Sequence, residues 1–161
     1  DLPLQWHCIG PIQSNKTQLV AKHFGWVHSI DRLKIAERLS AQRPAHLPPL
    51  QVCLQVNVDG GLNKSGVSPP DLLALAEAVA KLPNLQLRGL MTIPEPAEND
   101  TAARAVHRQA KELFDSLNAA GLKLDTLSMG MSADLEAAIL EGATMIRIGT
   151  ALFGERLQSQ A

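Results

Sequence analysis

The segment DTLSMGMSADLEAAILEGATMIRIGT, residues 125–150, decides the fold class of this chain. It contains a short β-rich run at 125–128, an apolar stretch of helical periodicity at 133–140 and a second β-rich run at 144–148. A helical stretch between two short strands is typical of a βαβ unit, in which both strands are parallel. The segment therefore predicts an α/β fold with a parallel sheet.

The same alternation runs through the rest of the chain. The predicted strands are 6–9, 26–30, 51–58, 87–93, 125–128 and 144–148. The predicted helices are 15–24, 31–42, 68–82, 100–121 and 133–140, with a short turn at 151–153. A complete eight-unit barrel has about 250 residues. Six βα units in 161 residues are therefore compatible with an open sheet or with a TIM (β/α)8-type barrel that lacks two units.

Composition limits the classes of partner. The chain has 45% hydrophobic residues, enough for one domain with a core, and its 15 Lys+Arg against 16 Asp+Glu give a net charge of -1. No basic patch predicts nucleic-acid binding. No apolar run approaches the roughly 20 residues of a membrane span, and no signal peptide is evident, so we expect a cytoplasmic protein without membrane contact. Cys8 and Cys53 lie in apolar runs and are predicted to be buried thiols.

Two loops at strand ends carry the chemistry-bearing residues. SMGMS, residues 128–132, leads from the fifth predicted strand into a helix, and RIGT, residues 147–150, leads from the sixth into a helical turn. Ligands of parallel α/β folds bind at these strand ends, and small residues, hydroxyls and free N–H groups suit a phosphate. A helix cap at Ser132 and a tight turn at Gly149 explain the loops equally well. Arg147 favours a site, since a guanidinium in an apolar strand needs an acceptor, although a simple ion pair stays open.

Other polar positions are less specific. Asn15 and Lys16 follow the first strand, and helix capping by Asn15 is the alternative interpretation. Lys64 lies in a glycine-rich loop, 59–66, that fits no nucleotide-binding fingerprint and is interpreted as a solvated loop. No histidine shows metal-ligand spacing or a catalytic-triad motif, so structural or surface roles and no metal site are predicted for His7, His23, His28, His46 and His107.

Taken together and in order, five motifs resemble a known family. They are HxIGxxQxNK at 7–16, NKSG at 63–66, RGLM at 88–91, SMGMSxD at 128–134 and RxGTxxFG at 147–154. The set resembles the pyridoxal 5'-phosphate homeostasis protein family, whose members are similar to the barrel half of alanine racemase. The resemblance covers essentially the whole chain. It implies a fold-type III TIM (β/α)8-type barrel, with residues 1–161 as a single incomplete barrel domain lacking roughly two N-terminal βα units.

The resemblance also implies a cofactor, pyridoxal 5'-phosphate (PLP), and the residues that hold it. The phosphate would lie on the two strand-end loops and Arg147 would face the pyridine nitrogen. A guanidinium there keeps the ring nitrogen unprotonated and weakens the ring as an electron sink. The family's Schiff-base lysine lies in a segment like AVSK, which this chain does not contain. The implied cofactor-binding residues are Ser128, Gly130, Met131, Ser132, Arg147, Gly149 and Thr150, with Asn15, Lys16 and Lys64 as further candidates.

The predicted function is intracellular PLP homeostasis, by buffering or delivering the cofactor, with no catalytic residue. PLP and PLP-requiring apoenzymes are the expected partners of a monomer. A racemase would need an opposing tyrosine, and the chain has no tyrosine. A phosphosugar isomerase or aldolase would need a base at a strand end, where Asp59 and Glu95 are the nearest carboxylates but lie beyond the strands. A structural role with empty loops predicts no PLP binding.

Overall fold

The computed structural model describes residues 2–60 and 65–154, and a six-stranded parallel sheet is its central feature. Each strand pairs with the next one along the chain, in the order β1 to β6. Every βα unit therefore advances in the same direction, as in a TIM barrel, whereas a doubly wound sheet reverses its strand order. The strands are β1 His7–Cys8, β2 Trp26–Ile30, β3 Leu50–Gln55, β4 Leu85–Met91, β5 Thr126–Met131 and β6 Met145–Arg147.

The sheet is strongly curved. A side-chain hydrogen bond of 2.9 Å joins His28 on β2 to Ser128 on β5, although β3 and β4 lie between those strands in the sheet. Adjacent strands are about 4.8 Å apart, so this bond requires the inner face to close on itself. The predicted barrel architecture, with about six of its eight units, is confirmed.

Helices cover the outer face of this sheet. They are α1 Thr17–His23, α2 Leu33–Gln42, α3 Pro69–Ala80, α4 Asp100–Ala119, α5 Leu135–Leu140 and α6 Thr150–Phe153, with a 3-10 turn at Ser14–Lys16 before α1. Among the described residues, no helix is both long and apolar enough to cross a bilayer.

The core has two parts. The larger cluster lies between the sheet and the helices and includes Leu54, Leu90 and Leu127. A smaller cluster on the inner face consists of Trp26, Cys53 and Met91, with Ile9 and Met145 packed against it. Strand β3 is buried along nearly its whole length, as expected for a barrel strand with helices on one side and the barrel interior on the other.

The cysteine and cap predictions have mixed outcomes. Cys53 is fully buried, as predicted, whereas Cys8 is only half-buried. The predicted cap at Asn15 is wrong, because Asn15 lies within the 3-10 turn and α1 begins two residues later. The longest helix is capped by the Asn99 side chain, which accepts a hydrogen bond of 2.9 Å from the Ala102 N–H.

Candidate functional site

Two adjoining cavities lie at the carboxyl ends of the strands. The larger, about 830 Å³, is lined by residues that follow or end five of the strands, and Arg147 and Gly149 line it at β6. The smaller, about 320 Å³, lies between the start of α4 and the start of α5. Both are lined by Arg147 and Met131. These cavities are at the position where parallel α/β barrels bind their ligands.

Arg147 is held by two of its three nitrogens. Nη1 donates to the Ser128 hydroxyl at 2.8 Å, and Nη2 donates to the Thr92 carbonyl at 2.7 Å. The Nε atom is buried and has no hydrogen-bond partner among the described residues. The acceptors are a hydroxyl and a backbone carbonyl, so the simple ion pair considered above is not the arrangement found. Burial lowers the pKa of Arg147 from its ordinary value, although an arginine keeps its charge in proteins.

Ser128 does not lie in a loop. Strand β5 continues to Met131, three residues beyond the predicted end, so Ser128 is inside the strand and fully buried. Its hydroxyl contacts Arg147 and the Nδ1 atom of His28, the latter at 2.9 Å. The predicted strand position of Ser128 is confirmed, whereas the predicted end of the strand at Ser128 is wrong, because the chain stays paired with β6 as far as Met131.

The turn between β5 and α5 is fixed by Asp134. Its Oδ1 accepts a hydrogen bond of 2.7 Å from the Met131 N–H, and its Oδ2 lies 2.8 Å from Nε2 of the buried His107. Helix α5 begins at Leu135, so Asp134, and not Ser132, is the residue that precedes it.

Ser132 joins the two predicted loops. Its hydroxyl accepts a hydrogen bond of 3.3 Å from the Ala151 N–H in the first turn of α6. Ser132 therefore lies beside Gly149 and Thr150, which precede and begin that helix. The structure brings these three residues close together. Gly149 lines the larger cavity, and Ser132 and Thr150 lie next to it, outside the residues that line either cavity. Their role in binding stays a prediction.

The two glycines of these loops have different surroundings. Gly130 is buried with φ of 91°, and a Cβ there would lie 2.5 Å from the Cβ of Ala138 on α5. Gly149 is exposed and a Cβ there would meet nothing within 4 Å. Gly130 therefore allows α5 to pack closely, whereas Gly149 leaves open space at the cavity.

Two candidates from the sequence do not line the cavities. Asn15 and Lys16 are exposed, and neither lines either cavity. Lys64 lies outside the described residues.

The sequence analysis missed the part that His28 and His7 play at the site. His28 is fully buried, and its Nε2 lies 2.9 Å from Nδ1 of His7. Burial, followed by the neighbouring His7 and Arg147, lowers the pKa of His28 to about 4, so His28 is neutral near pH 7. A signal for this was present in the sequence. Trp26 and His28 are two residues apart on β2, so their side chains lie on the same face of the strand. This spacing could have indicated a histidine that faces the barrel interior with Trp26.

Comparisons with known proteins identify the family. A profile of the alanine racemase N-terminal domain matches residues 3–157. The pyridoxal phosphate homeostasis protein of Pseudomonas aeruginosa is 69% identical over 156 residues, which are 97% of this chain and 66% of that protein. PipY of Synechococcus elongatus, solved with PLP bound, is 40% identical with a TM-score of 0.85, over 94% of this chain and 71% of that one. The chain belongs to the pyridoxal phosphate homeostasis protein family.

Membership of this family confirms the resemblance that the five sequence motifs indicated. The chain spans 66% of the length of the Pseudomonas homeostasis protein. An alanine racemase of Clostridium difficile is 18% identical with a TM-score of 0.75, over 98% of this chain and 41% of that one. At that identity the likeness concerns the fold alone, and it agrees with the barrel architecture.

Proposed function

We propose that the cavity at the strand ends binds pyridoxal phosphate and that the protein buffers or delivers this cofactor without catalytic turnover. Support comes from the family and from PipY, which was solved with PLP bound. The single observation that carries the proposal is Arg147, a partly buried guanidinium that lines both cavities, including the one of about 830 Å³. Each Nη atom carries two N–H groups, and only one hydrogen bond is described for each, while the pyridine nitrogen of PLP is an acceptor.

The phosphate of PLP fits the rim formed by Ser132, Gly149 and Thr150. These residues contribute two hydroxyls and the backbone N–H groups around Gly149, and Gly149 leaves open space there. Anions are commonly held by such hydroxyl and N–H groups. Met131 borders both cavities and would contact the bound cofactor. We propose that Ser128 acts on the cofactor through Arg147, to which its hydroxyl is bonded. Gly130 lines the smaller cavity and stays a proposed contact.

The residues of the site favour holding the cofactor over transforming a substrate. When bound, PLP supplies a pyridine ring that withdraws electrons and an aldehyde that reacts with amines. Arg147 opposes protonation of the ring nitrogen because it is itself a cation, and this reduces electron withdrawal. The chain contains no tyrosine that could act as the opposing acid or base of a racemase. We further propose that PLP-requiring apoenzymes receive the cofactor and that the protein is a cytoplasmic monomer.

An equilibrium dialysis experiment tests the proposal. The purified chain is dialysed against PLP and, separately, against glycerol 3-phosphate, which carries a phosphate but no pyridine ring. We expect selective PLP binding that weakens at least tenfold in Arg147→Gln, since a hydrogen bond to a charged group contributes about 1.5–3 kcal/mol. Arg104→Gln is the matched control, because Arg104 pairs with Glu141 on the outer helices. Equal affinity for both ligands, or no PLP binding, would contradict the proposal.

A further inference from the structure

We propose that His28 is a positioning residue for Arg147: its unprotonated Nδ1 holds the Ser128 hydroxyl, and Ser128 in turn holds the guanidinium at the cavity. The inference rests on the proposed PLP site, because it takes Arg147 as the donor to the ring nitrogen. His28 itself lines neither cavity, so it acts through Ser128 and touches no ligand.

The directions of the hydrogen bonds follow from the chemistry of the groups. Arginine only donates, so the Ser128 oxygen accepts from Arg147 across 2.8 Å. The one hydroxyl proton of Ser128 then needs an acceptor, and the described structure offers the Nδ1 atom of His28 at 2.9 Å. A neutral imidazole that accepts at Nδ1 carries its proton on Nε2. His28 therefore donates from Nε2 to Nδ1 of His7, 2.9 Å away.

This chain of donors runs in one direction, from Arg147 through Ser128 and His28 to His7. The opposite orientation would place a proton on Nδ1 of His28 and leave the Ser128 hydroxyl proton without an acceptor among the described residues. An unsatisfied buried hydroxyl destabilises that arrangement. The lowered pKa of His28 agrees, because burial above all, and then the neighbouring His7 and Arg147, disfavour a protonated His28.

Ser128 supplies the side-chain contact that fixes Arg147. The other acceptor is the backbone carbonyl of Thr92, whose position is set by the sheet. A serine hydroxyl rotates to suit its partners, so His28, by accepting the proton at Nδ1, keeps the lone pairs of Ser128 directed at Arg147. His28 is itself held in place, because it is fully buried and packs against Trp26, with 5.9 Å between the two ring centres.

The test compares PLP with its carbocyclic analogue, in which C–H replaces the ring nitrogen. Both carry the same phosphate, so the ratio of their dissociation constants measures the contact to the ring nitrogen. We expect the wild-type protein to prefer PLP by about ten- to hundredfold, the range of one hydrogen bond from a charged donor. His28→Leu should reduce this preference to about threefold or less. Its affinity for the analogue should stay within about twofold of the wild-type value, because the phosphate contacts are unchanged.

Two further variants separate positioning from packing. His28→Asn places an amide oxygen near the Nδ1 position and should restore most of the preference for PLP. Ser40→Ala removes another buried hydroxyl, bonded to the Pro83 carbonyl beneath α2, and should leave the preference unchanged. An undiminished preference in His28→Leu would overturn the role of His28 while leaving the PLP site intact.

The wild-type protein alone provides a second test that requires no variant to fold. Nitrogen-15 NMR of labelled histidine should show His28 protonated on Nε2 and unprotonated on Nδ1 at pH 7. A proton on Nδ1 would overturn the inference. Wild-type protein that binds PLP and the analogue equally would also overturn it, whereas wild-type protein that binds neither would refute the proposed function as well.

Discussion

At the scale of single residues, the inner face of the sheet is organised by hydrogen bonds to one hydroxyl. Ser128 contacts Arg147 on β6 and His28 on β2, and it is fully buried. Buried polar groups contribute stability only when all of them are paired, and removal of one member leaves the others desolvated and unsatisfied. Ser128 therefore contributes to stability and to the position of Arg147 through the same two bonds.

Removal of this hydroxyl should destabilise the protein. Ser128→Ala leaves Nη1 of Arg147 and Nδ1 of His28 without their partner, at an expected cost of about 2–3 kcal/mol in the free energy of unfolding. Urea denaturation followed by tryptophan fluorescence measures the difference. Ser132→Ala is the matched control, since that hydroxyl is only partly buried and accepts one long hydrogen bond of 3.3 Å. If Ser132→Ala lowered the free energy of unfolding as much as Ser128→Ala, the stabilising role of the Ser128 hydroxyl would be refuted.

The buried histidine should also make stability depend on pH. The pKa of His28 is about 4 in the folded protein, against an ordinary value of 6.5. Below pH 6.5 the unfolded chain gains a proton that the folded protein does not, so stability is complete above this pH and decreases as the pH falls towards 4. The full loss is about 3 kcal/mol, at about 1.4 kcal/mol per pKa unit.

The comparison with His28→Asn isolates this contribution. Asp125 and Glu141 also have lowered pKa values, through their bonds to arginines, and they too reduce stability in acid. They titrate in both proteins, so the difference between wild type and variant in urea denaturation from pH 7 to pH 4 reports His28. Parallel curves over this range would show that His28 does not titrate as described.

At the scale of elements, the contact between β5 and α5 depends on a glycine. Gly130 has φ of 91°, and its Cα faces the Cβ of Ala138 so closely that an added Cβ would lie 2.5 Å away. A side chain there meets both an unfavourable backbone conformation and a clash. The close contact places Asp134 and Ser132 at the rim of the cavities, so the packing of this helix determines the shape of the candidate site.

Gly130→Ala should therefore lower the melting temperature. A left-handed backbone conformation costs a non-glycine residue about 1–3 kcal/mol, which corresponds to roughly 3–10 °C for a protein of this size. Adding Ala138→Gly removes the clash but not the backbone cost, so it should restore only part of the loss. Gly10→Ala is the control, because nothing lies within 4 Å of its added Cβ. Differential scanning fluorimetry measures both melting temperatures. Equal melting temperatures for Gly130→Ala and Gly10→Ala would contradict this account.

The elements also show what the sequence could predict. The order of strands and helices and the meeting of Ser132 with Gly149 followed from periodicity and from the rule that ligands bind at strand ends. The continuation of β5 from Ser128 to Met131 did not follow, because the SMGMS run has no apolar alternation and is typical of a loop. The role of His28 could not be predicted either, since its contact to Ser128 joins residues 100 positions apart and depends on the curvature of the sheet.

At the scale of the whole molecule, the two edges of the sheet carry exposed apolar side chains. Strand β1 pairs only with β2, and β6 pairs only with β5, within the described residues. Near the first edge, Leu2, Leu4 and Trp6 are more than half exposed, and near the second edge so are Leu140, Leu152 and Phe153. Unpaired edges and contiguous apolar surface favour association. We propose that two further βα units close the barrel by pairing with both edges.

Closure of the barrel predicts a gain in stability that can be measured. A protein in which the N-terminal segment of the Pseudomonas relative precedes residue 2 should bury both edges, because the added strands would pair with β1 and β6. At roughly 2–4 °C per kcal/mol for a protein of 150–250 residues, we expect a melting temperature at least about 5 °C above that of the present chain, with less light scattering on heating. The single variant Phe153→Asp, which places a charge near the β6 edge, should remove much of the gain in the longer protein and leave the present chain unaffected, because Phe153 is exposed there. Equal melting temperatures for the two wild-type proteins would mean that the edges are tolerated as they are and that closure does not involve them.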